Sequence, residues 1–476
     1  MSSPSIFWHD YETWGVNPQK DPACQFAGIR TDLDLNIISK PLMIFNQIPN
    51  DYLPNPQACL ITGITPQRSL RDGMIEPEFI AKIHHEFSQP NTCVAGYNNI
   101  RFDDEVTRYA LYRNFYDPYA REWRNGNSRW DIIDVVRACY ALRPDGIEWP
   151  LKEDGSPSFK LEDLSQANNI EHSAAHDAMS DVYATIGLAK LVKTVQPKLY
   201  DYLFNLRLKK NVIALFDLNN HTPLVHISSK LPALHGCCTW IAPIAQHPIN
   251  KNAYIVVNLA LDIRPLLSLT VDEIIAKLYT PSNMLEEGEQ RLPIKLIHVN
   301  KSPVLAPAKS LSEDNAERLG INRATCLQNL QLLKQHPELV EKLITVHSEN
   351  KPKAEHEADH ALYSGAFFSP RDRDLMNQVI GCSPAQLADL TLPFEDPRLD
   401  TLLFYYKARN FPTTLNELEL QRWQNHRKFR LLDEGSPSNI TMSDYMQSLE
   451  LLSQEHQTNN DKLAILKALY RYAEQL

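Results

Sequence analysis

The hydrophobic periodicity of this chain changes twice along its length, and no single-core fold accommodates all three regimes. Up to about residue 195, strand-like runs (IFWHDYE, QFAGIRTDLD, PLMIFNQI) precede segments with apolar residues three and four apart (EPEFIAKIHHEF, DDEVTRYALYRNF, IIDVVRACYAL, KLEDLSQANN, DAMSDVYATIGLAKLV). That mixture predicts an α/β domain over 1–195. From 203 to 350 the pattern turns to short strands, NVIALFDL, PLVHISS, CTWIAPI, AYIVVNLAL and PIKLIHVN, with helical VDEIIAKLY and CLQNLQLLKQHPELVEKLI attached. A small β-barrel with helical extensions is expected there. After the polar stretch SENKPKAEHEADH, the periodic segments from 358 to 476 (RDRDLMNQVI, DTLLFYYKARNF, LELQRWQNHRKF, SDYMQSLELL, DKLAILKALYRYA) all read as helices. At 476 residues the chain also exceeds the length at which one core stops growing, so several domains follow on size alone.

The 32 prolines against 15 glycines predict stiff, ordered connections rather than flexible linkers. The eight cysteines, at 24, 59, 93, 139, 237, 238, 326 and 382, form no C-x-x-C pair, so reduced and mostly buried thiols are expected instead of zinc or redox chemistry. The start, MSSPSIFWHDYE, has no basic segment followed by a long apolar run, and no later stretch has membrane-spanning length, which predicts a cytoplasmic protein. A net charge of -10 argues against a polyanionic partner, but the charge is unevenly spread. Residues 187–230 hold seven Lys or Arg against two Asp.

Three motifs gather carboxylates. Asp10 and Glu12, two apart at the end of an apolar strand, point to the same face and can share a divalent cation, although a solvated pair would look the same. Asp103, Asp104 and Glu105 follow GYNNIRF and open a helix, where early acids also favour the free N–H groups and the dipole. Spacing alone does not select one of the three. His176 and Asp181, five apart, converge only if His176 precedes the helix that carries Asp181, with Asp177 left to cap it. Four carboxylates and one histidine on three elements suit two-metal phosphodiester hydrolysis, and oxygen donors favour Mg²⁺ or Mn²⁺. With an ordinary pKa of roughly 6.5, His176 is suited to take the proton of the attacking water.

In this order the blocks resemble the DEDD family of 3′→5′ exonucleases with a histidine base and a ribonuclease H-like fold. The stretches HDYETWG, LITGITPQ, GYNNIRFDDE, YRNFYDPYA, NSRWDIIDVVRACYALRPDGI and EHSAAHDAMSDVYATI, and further on RLGINR and KARNFP, are similar to the bacterial exonuclease I family over essentially the whole chain. The resemblance implies that Asp10, Glu12, Asp103 and Asp181 are ligands for two Mg²⁺ ions, with His176 as base. It also implies a ribonuclease H-like exonuclease domain (1–195), an SH3-like barrel domain with extensions (203–350) and a helical C-terminal domain (358–476).

Implied too are single-stranded DNA as substrate, a role in DNA repair and recombination, a monomer, and the acidic C-terminal tail of single-stranded DNA-binding protein as partner. Arg318 and Arg323, around RLGINR, are candidates for docking that tail. Thr13, Ile64, Phe102 and Lys160, with Glu12, are candidate contacts to the terminal nucleotides, Ile64 as an apolar wedge against a base or, equally, as the buried residue of a turn. Lys160 stands where the family pattern has Arg; it keeps the charge and loses the bidentate fork. The interleaved basic and aromatic residues from Arg108 to Trp130 predict a strand-binding groove, for which Arg108, Tyr119, Trp123, Arg137 and, further on, Lys209 are the candidates. The competing readings are an RNA 3′-end trimming enzyme of the same family, a non-catalytic single-strand binder and a small-nucleotide phosphodiesterase.

Overall fold

The first apolar run, alternating Phe7 and Tyr11 with Asp10 and Glu12, forms the nine-residue strand β1 (Ser5–Thr13) at the centre of a mixed sheet. It pairs antiparallel with β2 (Ala23–Thr31), setting Asp10 opposite Ala27 and Glu12 opposite Gln25, and parallel with β4 (Thr92–Gly96). A register shift between Glu12 and Thr13 ends the regular ladder just past the second acid. With β3 (Leu42–Phe45), these four strands run in the order β3-β2-β1-β4. The computed structural model describes residues 3–172, 177–280, 284, 291–349, 355, 357–438 and 440–476.

Helices α1 (Pro56–Thr62), α2 (Pro66–Asp72) and α3 (Glu76–Phe87) lie between β3 and β4, each with Pro in the opening turn, where a missing N–H costs nothing, and α4 (Asp103–Arg113) follows β4. Phe7, Tyr11 and Phe26 pack with Phe79, Ile83 and Phe87 of α3 and Val106 of α4 into one buried cluster. Strand β5 (Ser128–Asp131) then leads into α5 (Ile132–Leu142), α6 (Leu161–Ala167) and α7 (Ala178–Val195).

Two compact units divide the chain, and they do not follow the three successive segments of the sequence pattern. The first comprises Met1–Ser128, His172–Tyr183 and Pro352–Leu476, the second Arg129–Glu171 and Ala184–Lys351. The C-terminal helices join the N-terminal segment because they complete its cores. Tyr109, Tyr112 and Phe115 are buried with Leu399, Phe404 and Trp423, and Trp14, Cys24 and Tyr52 with Tyr445, Leu469 and Tyr472.

In the second unit five antiparallel strands run in the order β10-β6-β7-β8-β9, with β6 at Leu224–Ile227, β7 at Cys238–Gln246, β8 at Ala253–Asn258, β9 at Ile294–His298 and β10 at Val304–Pro307. One expectation changes here. NVIALFDL is not a strand: it lies in the short helix Lys209–Ile213 and the turns after it, with Val212 its one fully buried residue in the helix. The edge place beside β6 goes to Val304–Pro307. CLQNLQLLKQHPELVEKLI is two helices, Arg323–Gln335 and Glu338–Val346, because Pro337 cannot continue the first. All eight cysteines are free thiols, seven of them buried. No helix among the described residues is long and apolar enough to cross a membrane.

Candidate active site

Asp10 and Glu12 leave one face of β1 because side chains alternate along a strand. Asp181 arrives from the first turn of α7, whose start is fixed by Asp177: its Oδ1 accepts the Ser180 N–H at 3.1 Å and its carbonyl the Asp181 N–H at 3.1 Å. One carboxylate oxygen from each of Asp10, Glu12 and Asp181 lies within 4.8 Å of the other two. Asp103 opens α4 and is buried, and its Oδ1 accepts the backbone N–H of Tyr11 at 3.1 Å, which pins the start of α4 to β1 between the two strand acids.

Crowding shows in the protonation of these groups. Burial, then the negative charges of Asp103, Glu12, Asp181 and Asp177, push the Asp10 carboxyl well above the ordinary range. Burial, then Asp181, Asp103 and Asp177, push Glu12 up to about 8. Carboxylates that disfavour one another's charge in this way are relieved by a cation. Their all-oxygen donor set suits a hard divalent ion, and no cysteine sulfur competes among the described cluster.

His176 lies outside the described residues. A different histidine, which the sequence reading did not select, meets the site: His172 Nε2 stands 2.5 Å from Asp181 Oδ1. It precedes Asp181 by nine residues in a segment without helical period, so spacing gave no signal for it.

Among the remaining candidates, Ile64 is buried at 2% exposure within an apolar cluster that includes Leu60 and Tyr472, which matches a buried turn residue rather than a side chain open to a base. Gly63, at φ 68°, turns the chain so that Ile64 faces inward. Arg108 is also buried rather than presented to a ligand. Glu122 accepts from it at 2.8 and 2.9 Å, Glu105 at 2.7 Å and the Tyr363 hydroxyl at 3.0 Å. Arg137, 8% exposed, is held by Asp134 at 2.7 Å and stacks on Phe159. Thr13 is buried and donates its hydroxyl to the Gly15 carbonyl, and Phe102 is half-buried at the start of α4. Trp123 is 64% exposed with Arg124 stacked on it, Tyr119 is half-buried beside the exposed Phe367, and Lys160 and Lys209 are exposed. The missed Tyr363 and Phe367 fall just after the polar stretch, where no periodicity marks them.

Paired acids on the central strand of the sheet, joined by acids that open two helices, form a site suited to the divalent cations of a metal-dependent nuclease. Comparison with known proteins narrows this. Residues 7–189 match the family model "Exonuclease", 207–349 "Exonuclease I SH3-like domain" and 356–476 "Exonuclease I C-terminal domain". Exodeoxyribonuclease I of Escherichia coli (strain K12) is 50% identical over 99% of this chain and 98% of its own length. The crystal structure of E. coli exonuclease I in complex with a dA16 oligonucleotide superposes with a TM-score of 0.95 at 49% identity, covering 99% of this chain and 100% of that one. That of SSB/exonuclease I with the inhibitor CFAM does so with a TM-score of 0.92 at 48% identity, covering both chains in full. The chain belongs to the exonuclease I family.

Proposed function

We propose that this chain is a 3′→5′ exodeoxyribonuclease that removes 5′-mononucleotides from single-stranded DNA. The observation that carries the reading is the carboxylate triple Asp10–Glu12–Asp181, with Asp103 held against β1 beside it. A pure binding protein gains nothing from four acids gathered where a phosphate must lie.

Asp10, Glu12, Asp103 and Asp181 hold the cations, two Mg²⁺ with Mn²⁺ as the alternative. Bound there, the ions would supply positive charge at the scissile phosphate and acidify the attacking water. His176 takes the proton of that water, a role that suits an imidazole at neutral pH. Asp177 keeps the first turn of α7 in place, and with it Asp181.

Single-stranded DNA as the substrate rests on family membership and on the relative solved with dA16. Exposed Trp123, backed by Arg124, offers a face for base stacking, with half-buried Tyr119 as a second ring. Exposed Lys160 and Lys209 are the phosphate contacts. Arg108 and Arg137 act through the carboxylates they hold, not as free charges. The plan of exonuclease domain (1–195), SH3-like domain (203–350) and helical domain (358–476) accords with the matched regions.

As partner we propose the acidic C-terminal tail of single-stranded DNA-binding protein, in line with the relative solved as SSB/exonuclease I, docking at Arg318 and Arg323. These stack on Tyr140 and Trp240. The protein acts as a monomer in the cytoplasm, in repair and recombination.

The test is a comparison of turnover on single-stranded DNA, duplex DNA and RNA of one sequence. The reading requires at least a tenfold preference for single-stranded DNA; equal rates on RNA would promote the trimming enzyme instead.

A further inference from the structure

On the side of β1 and α4 turned away from the carboxylates lies a second charged group that the hydrolytic chemistry does not use. Asp104 and Arg121 form an ion pair at 2.7 Å in which neither side chain has any exposure. Two of the four site acids have one of this set as chain neighbour: Asp10 follows His9, and Asp103 precedes Asp104.

Around the pair the packing is specific. The Arg121 guanidinium lies 4.9 Å from the centroid of Phe87, and the His9 ring meets the same phenyl group at 4.9 Å, edge to face. His9 Nδ1 lies 3.2 Å from the Ala95 carbonyl of β4. The Asp104 N–H donates to the Asn99 carbonyl at 2.9 Å, so the same aspartate fixes the turn that enters α4. One turn further along α4, the Thr107 hydroxyl lies 2.8 Å from the Asp103 carbonyl and 3.0 Å from the Tyr11 hydroxyl. Inner polar contacts thus tie β1, β4 and the start of α4 at the residues adjoining Asp10 and Asp103.

A charge pair without solvent is a demanding way to fill a core, because desolvation offsets much of the attraction and an apolar pair of equal volume is often as stable. Stability therefore gives little reason for this one. We infer that the Asp104–Arg121 pair, braced by His9 and Phe87, is a positioning device that sets the distance between the strand acids and Asp103, so that the site is shaped for divalent cations before they bind. The inference rests on the metal-dependent reading of the site. Its logic is that of the outer partners of metal ligands, whose loss commonly weakens metal binding by roughly 10–100-fold.

The test measures Mn²⁺ binding by calorimetry without DNA, alongside kcat and KM, for the unaltered protein, Asp10→Ala, Arg121→Lys and the double variant Asp104→Leu/Arg121→Met. The double variant removes both charges together, so no buried ion is left alone. Its expected result is a thermal midpoint close to that of the unaltered protein, Mn²⁺ affinity weakened about 10-fold or more, and a loss in kcat with KM for DNA retained. Arg121→Lys, which keeps the charge and loses the planar fork, falls between the two. A folded double variant with unchanged Mn²⁺ affinity overturns the proposal. Should that variant not fold, Arg121→Lys decides: affinity equal to that of the unaltered protein overturns the proposal, and a weakening of threefold or more upholds it. Failure of the unaltered protein to bind Mn²⁺ more tightly than Asp10→Ala would instead sink the metal-centre reading, and this inference with it.

Discussion

Asp181 is under two opposed demands. As a proposed metal ligand it has to stand beside the other acids, yet without a cation it crowds Asp10 and Glu12. Asp181→Asn is expected to raise the thermal midpoint of the metal-free protein, and midpoints measured with chelator check this. The pH dependence follows from Glu12. Its carboxyl keeps its proton up to about 8 in the folded chain, against an ordinary value of 4.5. Between those values the folded state binds the extra proton, so this contribution to stability is full below about 4.5 and is lost as pH rises to about 8. Metal-free midpoints should therefore fall over that window and Mg²⁺ should remove most of the fall; a flat metal-free profile would contradict the crowding. Asp10 and Glu12 were legible in sequence because strand alternation fixes their common face. Asp103 was not separable from Asp104 and Glu105, since all three suit a helix start; the fold separates them by turning Asp103 to Tyr11, Asp104 to Arg121 and Glu105 to Arg108. His172 and the burial of Arg108 and Ile64 depend on tertiary neighbours that no local pattern encodes.

At the scale of elements, the helix Pro397–Asn410 is tied to the segment before α1 by a buried charge network. Arg409 donates to both oxygens of Asp51, at 3.0 and 2.7 Å, and to Asp359 at 2.6 Å, with Arg430 close to both acids. Burial works to raise the Asp51 pKa, but Arg409 and Arg430 overcome it and hold the carboxyl well below its usual range. Removing one member strands a buried charge, so Arg409→Met should cost roughly 3–5 kcal/mol. Equilibrium denaturation reads this; a loss below about 1 kcal/mol, the range of exposed pairs, would show the network to be solvated. Helix α3 follows its sequence periodicity because its apolar stripe, Phe79, Ile80, Ile83 and Phe87, faces a single core, whereas α4 is buried on two sides, with Val106, Ala110 and Leu111 in one cluster and Tyr109 and Tyr112 in another. NVIALFDL misled because a short apolar run is compatible with either period, and only competition for the edge of β6 settled it for Val304–Pro307.

For the whole molecule, composition and function pull apart: a chain of net charge -10 handles a polyanion. If Lys160 and Lys209 each neutralise one phosphate, replacing either by Ala should reduce the slope of log affinity against log salt by about 0.7. Titrations of labelled oligonucleotide at several salt concentrations measure that slope, and an unchanged slope removes the residue from the groove. The three pattern regimes were readable along the chain, but the joining of the C-terminal helices to the N-terminal segment was not. It arises from buried faces hundreds of residues apart, such as Tyr112 with Leu399 and Trp14 with Tyr472. The central claim, a metal-dependent exonuclease built on four acids, is tested most directly by digesting 5′-labelled single-stranded DNA with the unaltered protein and Asp181→Ala, in Mg²⁺ and in chelator. The account predicts a ladder shortening from the 3′ end only for the unaltered protein with Mg²⁺, the variant slower by about 1,000-fold or more, as loss of several kcal/mol of charge stabilisation implies. Shortening that persists in chelator, or an Asp181→Ala enzyme that matches the unaltered one, would contradict it.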